Sequence, residues 1–175
     1  MRAQVRIWVL VLLALSPAIS RAERETVVHS FHSMSQPTEI KFTNSNKTAT
    51  TELTTYTCTG GSEFGIASSK ISAILDKGGE TVTTTQVDEL VGFMIKYNPA
   101  GESLSNVKIY LAKNGGAFGA AVSGDSIDYQ KGVIDVSIPR GNYAIKIVNN
   151  DSKTCSIYRI DYYLDHCNCF EYIPE

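Results

Sequence analysis

The sequence predicts an all-β domain, a two-sheet antiparallel sandwich of jelly-roll type. Apolar residues alternate with polar ones at a period of two in several short runs, as in strands with one buried face. Turn residues interrupt these runs roughly every 8–12 positions, which is the spacing typical of sandwiches and barrels. No window sustains a helical period, and the runs are rich in Val, Ile, Thr and Tyr. We therefore expect strands along almost the whole domain.

The first 22 residues have the pattern of a secretory signal peptide. Arg2 and Arg6 precede an apolar run, and small residues offer a cleavage site after Ser20 or after Ala22. The apolar run is shorter than the roughly 20 residues that a membrane-spanning helix needs, and the alternative interpretation is an uncleaved N-terminal anchor. We expect a secreted protein, extracellular or periplasmic, that has no membrane attachment once the signal is removed.

The rest of the chain divides by composition into three parts. Residues 23–50 are polar and are predicted to be a flexible leader with one strand around 40–42, residues 51–167 form the sandwich, and residues 168–175 form a tail. Cleavage after Ala22 removes three arginines and leaves a net charge of −5. No block of Lys or Arg remains to neutralise phosphates, so a nucleic-acid partner is not expected.

Five runs give the clearest strands. They are Val91–Tyr97, Val107–Leu111, Ile134–Ile138, Tyr143–Ile147 and Tyr158–Leu164. Pro139-Arg140-Gly141-Asn142 predicts a turn between the third and the fourth. Weaker strands are predicted around 53–58, 64–67, 70–75, 81–85 and 126–129, and a short helix is predicted around 85–90.

Two segments resemble a known family. The run 106–110 followed by 114–118, and the run 141–147 followed by 157–162, resemble strands of galactose-binding-like and discoidin-like sandwiches. Such domains are carbohydrate-binding accessory modules of secreted bacterial proteins. The resemblance implies a jelly roll, a carbohydrate ligand and, as in some relatives, a structural calcium held by Asp161 with Glu52 or Asp165 as a further ligand. The alternative interpretation is that Asp161 is a solvated acid beside Arg159.

Four cysteines follow the signal region, and in an exported protein they are first interpreted as disulfide partners. A strand starting at Cys155 would place Cys167 roughly 30 Å away, beyond bonding reach. In a jelly roll the first and last strands commonly lie side by side, which would bring Cys58 near Cys155. We therefore predict the Cys58–Cys155 disulfide.

The remaining pair lies in His166-Cys167-Asn168-Cys169, and three interpretations stay open. Cys167 and Cys169 could pair with each other, cross-link to a partner chain, or bind a soft metal together with His166. Structural pairing is the default.

No catalytic motif is found, so we expect a protein that is not an enzyme. Gly124-Asp125-Ser126 matches a triplet of some lipolytic hydrolases, but it lies between two β runs and predicts a hairpin turn. Tyr163 stands three residues before His166, where those enzymes need an Asp. Asp88 and Glu89 are adjacent in sequence, which does not suit the facing carboxylates of a glycosidase.

Candidate ligand-binding residues are aromatic side chains on exposed strand faces or near turns, together with a turn amide. They are Tyr110, Tyr163, Phe118, Tyr129 and Asn114. Cross-strand packing of the aromatic residues and turn conformation at Asn114 are the competing roles. The chain's one Trp, Trp8, lies in the signal. We predict a carbohydrate-binding module, and the alternative is an adhesin-like or structural module that binds another protein.

Overall fold

The computed structural model describes residues 23–31, 41–43, 45–67, 70–76, 78–99, 107–122, 126–128 and 132–166. These residues form thirteen strands and contain no helix, and so none that could cross a membrane. The strands are β1 (Glu23–Ser30), β2 (Lys41–Thr43), β3 (Thr48–Thr50), β4 (Thr55–Thr59), β5 (Glu63–Ala67), β6 (Lys70–Leu75), β7 (Glu80–Thr84), β8 (Val87–Pro99), β9 (Val107–Lys113), β10 (Ala121–Val122), β11 (Ser126–Asp128), β12 (Val133–Asn149) and β13 (Cys155–His166).

The strands form a two-layer antiparallel sandwich of jelly-roll type, as the sequence predicts. Layer 1 has the order β2-β3-β4-β7-β12-β9-β10, where β12 contributes its second half. Layer 2 has the order β11-β12-β8-β13, where β12 contributes its first half, and β13 is flanked on its far side by β1 and by β6-β5. All pairings between these strands are antiparallel.

Strand β12 joins the two layers because it passes from one to the other without a turn. The sequence predicts two strands separated at residues 139–142, but the chain stays extended from Val133 to Asn149. The pairing of β12 with β8 shifts register between Ser137 and Gly141 and again before Tyr143. These irregularities bend the strand, as β-bulges do. The Pro and Gly residues therefore mark a bend and not a reversal.

Two further segments differ from the sequence prediction. Residues 85–90, predicted to be a short helix, include the start of β8, where Glu89 has a φ of +56°. Residues 23–50, predicted to be a flexible leader, contribute β1, β2 and β3, and Phe31 is part of the core. The leader prediction was wrong because β1 is a polar edge strand whose partner, β13, lies far along the chain.

The core lies between the layers and is built from inward-facing residues of both. Phe93, Ile95, Ile145 and Ile147 are fully buried, each on a strand predicted from alternation. Part of the core consists of aromatic side chains that carry polar groups. The Tyr162 hydroxyl on β13 donates to the Tyr56 hydroxyl on β4 at 2.9 Å, which connects the two layers directly.

The predicted Cys58–Cys155 disulfide is not formed. Both residues are free and buried. Cys58 lies in layer 1 opposite Val82, whereas Cys155 lies in layer 2 between Leu75 and Pro99. The prediction assumed that the strand of Cys58 lies beside the last strand, but β1, β6 and β8 occupy the positions next to β13. Cys167 and Cys169 lie outside the described residues.

We expect the buried thiols to resist alkylation in the native protein. Burial raises the pKa of Cys58 to about 11 and that of Cys155 to about 12, so the reactive thiolate is scarce. Iodoacetamide labelling followed by peptide mass spectrometry should label neither residue in the native protein and both in denaturant without reductant. A Cys58–Cys155 linked peptide before reduction would show that the assigned free thiols are wrong.

Candidate functional site

A cleft of about 620 Å³ lies on layer 2, and we call it the outer cleft. Its volume is within the range of pockets that hold small ligands. It is lined by Arg24, Glu25, Thr26, Val91, Ser137, Ile138, Arg140, Tyr163 and Asp165. Strands β1, β8, β12 and β13 all contribute to it, so a hydrogen-bonded sheet holds the lining residues in place.

Tyr163 lies at the centre of a cross-strand row in this cleft. Thr26 pairs with Tyr163, Tyr163 pairs with Gly92, and Gly92 pairs with Ser137. A Cβ atom at Gly92 would lie 3.1 Å from Tyr163 Cδ2 and 2.8 Å from the Val136 carbonyl oxygen. Glycine is therefore required beneath the ring. The result is a half-buried aromatic side chain with a threonine and a serine in the same row.

The Tyr163 hydroxyl stays protonated over the physiological pH range. Burial raises its pKa above the ordinary value of 10.0, and the negative charges of Asp135 and Asp161 raise it further, against the opposing effect of Arg159. A neutral phenol both donates and accepts hydrogen bonds. Tyr163 therefore offers an apolar ring together with a polar group at its edge.

An ionic cluster, which we call the His166 cluster, borders the outer cleft through Glu25 and Arg140, which line it. His166 Nδ1 is 2.7 Å from Glu89 Oε2, and His166 Nε2 is 2.8 Å from Glu25 Oε2. Arg140 donates from a guanidinium nitrogen to Glu89 Oε1 at 2.6 Å. The cluster connects the end of β13 to β1, β8 and β12.

The backbone conformation of Glu89 is adapted to this cluster. Its φ of +56° is uncommon for a residue with a side chain, and its N–H donates to Asn142 Oδ1 at 3.2 Å. A left-handed backbone conformation costs free energy, so it persists only where surrounding contacts offset that cost. Such residues are enriched at functional sites. Here the contacts of Glu89 with Arg140 and His166 are the compensating interactions.

The surroundings of His166 favour the protonated form of its ring. Hydrogen bonds to Glu89 and Glu25 raise the pKa of His166. Hydrogen bonds from His166 and Arg140 lower the pKa of Glu89. Because a carboxylate accepts at each ring nitrogen, both nitrogens act as donors in the protonated ring. Neither nitrogen is available to bind a metal or to accept a substrate proton in this arrangement.

The structure separates the aromatic candidates from one another. Tyr110 and Phe118 lie in layer 1, away from the outer cleft, and both contact a lysine. Lys146 Nζ lies 5.6 Å from the centroid of the Tyr110 ring and 5.4 Å from that of Phe118, within the range of cation–π contacts. Tyr129 lies outside the described residues. Of the four aromatic candidates, the structure therefore places only Tyr163 in a described cleft.

Asn114 occupies a turn and supplies its conformation. It has a φ of +51°, and Gly115 follows with a φ of +71°. Its backbone N–H donates to the Asn142 carbonyl at 2.9 Å. The sequence left two roles open for Asn114, ligand binding and turn conformation. The backbone angles and the hydrogen bond correspond to the turn role.

The residues implied for calcium do not meet. Asp161 is buried, and Arg159 Nε and a terminal guanidinium nitrogen donate to its two oxygens at 2.6 and 2.8 Å. Glu52 is exposed in the connection between β3 and β4. Within the described ranges, no group of three His, Cys, Asp or Glu side chains is arranged to hold a metal ion. Asp161 is thus the partner of Arg159, though buried and not solvated as expected.

Sequence reasoning identified Tyr163 but missed most of the residues around it. Arg24, Glu25 and Thr26 lie in the segment predicted to be a leader, and Ser137 and Arg140 flank the bend predicted to be a turn. The one available signal was the alternation of Glu25, Val27 and His29 on a run with few apolar residues. That alternation is too weak to predict a strand without its partner.

No protein-family model matches the chain, and no curated protein sequence is detectably similar to it. Among solved structures, the chain is similar to a family two carbohydrate esterase from Cellvibrio japonicus, at 9% sequence identity and a TM-score of 0.46. The similarity covers 82% of this chain and 36% of that one, so the chain spans about a third of the esterase's length. A similarity at this level assigns neither a ligand nor an activity.

Proposed function

We propose that this protein is a secreted, non-catalytic module that binds carbohydrate in the outer cleft. The observation that carries the proposal is the row formed by Thr26, Tyr163, Gly92 and Ser137. An aromatic face packs against the C–H face of a sugar ring, and polar side chains around it form hydrogen bonds with sugar hydroxyls. The resemblance to galactose-binding-like sandwiches implies the same ligand class.

The charged residues of the cleft favour directional hydrogen bonding to hydroxyl groups. Arg24 and Arg140 supply donors, while Glu25 and Asp165 supply acceptors. Asp165 Oδ1 is buried and has no hydrogen-bond partner among the described residues. A buried acceptor without a partner is costly, so a ligand hydroxyl that donates to it would gain binding energy. Both signs of charge are present, which suits a neutral ligand better than an ion.

Replacing Tyr163 with Ala is expected to weaken glycan binding about fivefold or more, because an aromatic contact contributes roughly 1 kcal/mol beyond area burial. The measurement is retention on polysaccharide gels and binding to a glycan array. Tyr110→Ala is the matched control, since the same side chain is removed from the face that contacts Lys146.

Two results would contradict the proposal. One is equal loss of binding in Tyr163→Ala and Tyr110→Ala, with both variants folded. The other is silence of the folded protein across the whole array, which would favour the alternative of a protein-binding module.

A further inference from the structure

A second cleft, of about 420 Å³, lies on the inward side of β1, and we call it the inner cleft. It is lined by Glu25, Val27, His29, Glu52, Leu53, Leu164 and His166. Glu25, on β1, lines both clefts. His29, Glu52, Leu53 and Leu164 line this cleft and not the outer one.

The wall opposite β1 is a short, well-fixed connection between β3 and β4. Thr51 N–H and Thr51 Oγ1 both donate to the Thr54 carbonyl at 2.9 Å, and Thr54 N–H donates back to Thr51 Oγ1 at 3.0 Å. Thr51 and Thr54 are buried. These bonds hold Glu52 and Leu53 in the loop that lines the cleft.

His29, which also lines the cleft, has an unsatisfied nitrogen. The residue is 0% exposed, and its Nε2 atom has no hydrogen-bond partner among the described residues. Its Nδ1 atom lies 2.5 Å from the Tyr56 hydroxyl. Buried polar atoms are nearly always paired, so an atom without a partner in the described part of the chain calls for one from a water or a bound molecule.

The neighbouring hydroxyl groups determine which ring nitrogen of His29 carries the proton. Tyr162 donates its hydroxyl hydrogen to the Tyr56 oxygen, so the Tyr56 hydrogen is left to point at His29 Nδ1. Nδ1 is then the acceptor, and the proton of the neutral ring lies on Nε2. Burial lowers the pKa of His29 to about 4, so the ring is neutral near pH 7. Nε2 is therefore an N–H donor that needs an acceptor.

The other lining groups restrict what can supply that acceptor. Glu25 and Glu52 carry negative charge, and the opposing charge of His166 is shared between Glu25 and Glu89, so the lining as a whole disfavours an anion. A cation, whether a metal ion or an ammonium group, has no acceptor for the His29 N–H. Val27, Leu53 and Leu164 give the cleft an apolar wall. A neutral ring with hydroxyl groups suits the His29 donor, the two carboxylates and the apolar wall together. Its oxygens accept the hydrogen bond from His29, its hydroxyls donate to the carboxylates, and its C–H face packs on the apolar side chains.

We propose that the inner cleft is a second, separate binding site for one uncharged hydroxyl-bearing ring of pyranose type. Because His29 is 0% exposed, the ring binds with a shift of the cleft side chains that lets one of its oxygens accept a hydrogen bond from His29 Nε2. The site is distinct from the Tyr163 row. The protein would then contact glycans in both clefts.

The test uses ¹⁵N-histidine NMR of the whole protein, titrated with methyl pyranosides of galactose, glucose and mannose, and with sodium acetate as the anionic control. We expect His29 to show the neutral tautomer with the proton on Nε2. At least one pyranoside should shift this signal saturably, and acetate should leave it unchanged. The Nδ1–H tautomer, a stronger response to acetate, or no response to any pyranoside in the folded protein would overturn the proposal. The last result would mean that only water occupies the cleft.

Variants locate the response within the cleft. Leu53→Trp should fill the space and abolish the shift, and Glu52→Gln, on an exposed side chain, should weaken binding several-fold without affecting folding. Tyr163→Ala should leave the His29 response intact. An unchanged response in both cleft variants would overturn the proposal. Because Tyr163→Ala affects only the outer cleft, failure of one site is distinguishable from failure of the other.

Discussion

Acidification from about pH 6.5 to about pH 4 is expected to destabilise the fold through His29, by an amount on the order of 3 kcal/mol. Burial lowers the pKa of His29 from 6.5 to about 4 in the folded protein, against a smaller opposing effect of Asp161. Between these values the unfolded chain binds a proton that the folded protein does not. The contribution is therefore fully present above pH 6.5 and is lost as the pH falls towards 4.

The measurement is the free energy of unfolding in urea, as a function of pH, for the wild type and for His29→Gln. Glutamine keeps a polar group near Tyr56 but does not titrate. The difference between the two proteins isolates His29 from the carboxylates, which are common to both. We expect the wild type to lose more stability than the variant between pH 6.5 and 4. Parallel curves would show that His29 is not a buried neutral ring.

Gly92→Ala is expected to reduce stability by about 1–3 kcal/mol and to weaken glycan binding at the same time. The added Cβ would lie 2.8 Å from the Val136 carbonyl oxygen, which belongs to the backbone of β12 and cannot move freely. It would also lie 3.1 Å from Tyr163 Cδ2. Either the strands separate locally or the Tyr163 ring moves, and both changes disturb the row in the outer cleft.

The matched control is Gly119→Ala, where the nearest atom to the added Cβ is the Leu111 carbonyl oxygen at 3.8 Å. This substitution should change neither stability nor binding appreciably. Thermal unfolding and glycan-gel retention are measured on the same samples. If Gly92→Ala retains the stability and binding of the Gly119→Ala control, the close packing of Tyr163 over Gly92 is wrong.

The sequence was sufficient for the central strands because each carries its own alternating pattern. Phe93 and Ile95 in β8, and Ile145 and Ile147 in β12, are buried as that pattern requires. It was insufficient for β1, whose residues become a strand by pairing with β13. It was also insufficient at residues 139–142, where Pro and Gly suit both a turn and a bulged bend. The local sequence does not distinguish a turn from a bend, because the conformation of residues 139–142 depends on their pairing with the distant strand β8.

In the candidate site, too, the local pattern predicted some features, and others depend on distant strands. Alternation placed Tyr110 and Tyr163 on polar strand faces and could not rank them. Lys146 lies beside one ring and Gly92 beneath the other, and both neighbours come from other strands. The role of His29 was likewise hidden, since its burial and its contact with Tyr56 depend on how the layers face each other. Cys58 and Cys155 were misassigned for this reason as well.

The carbohydrate site is tested most directly by a crystal structure of the protein with the best-retained glycan bound. We expect a sugar ring packed on Tyr163 in the outer cleft, with hydrogen bonds to side chains of β1 and β12. A ligand bound on the Tyr110 and Phe118 face, with the Tyr163 row empty, would contradict this expectation.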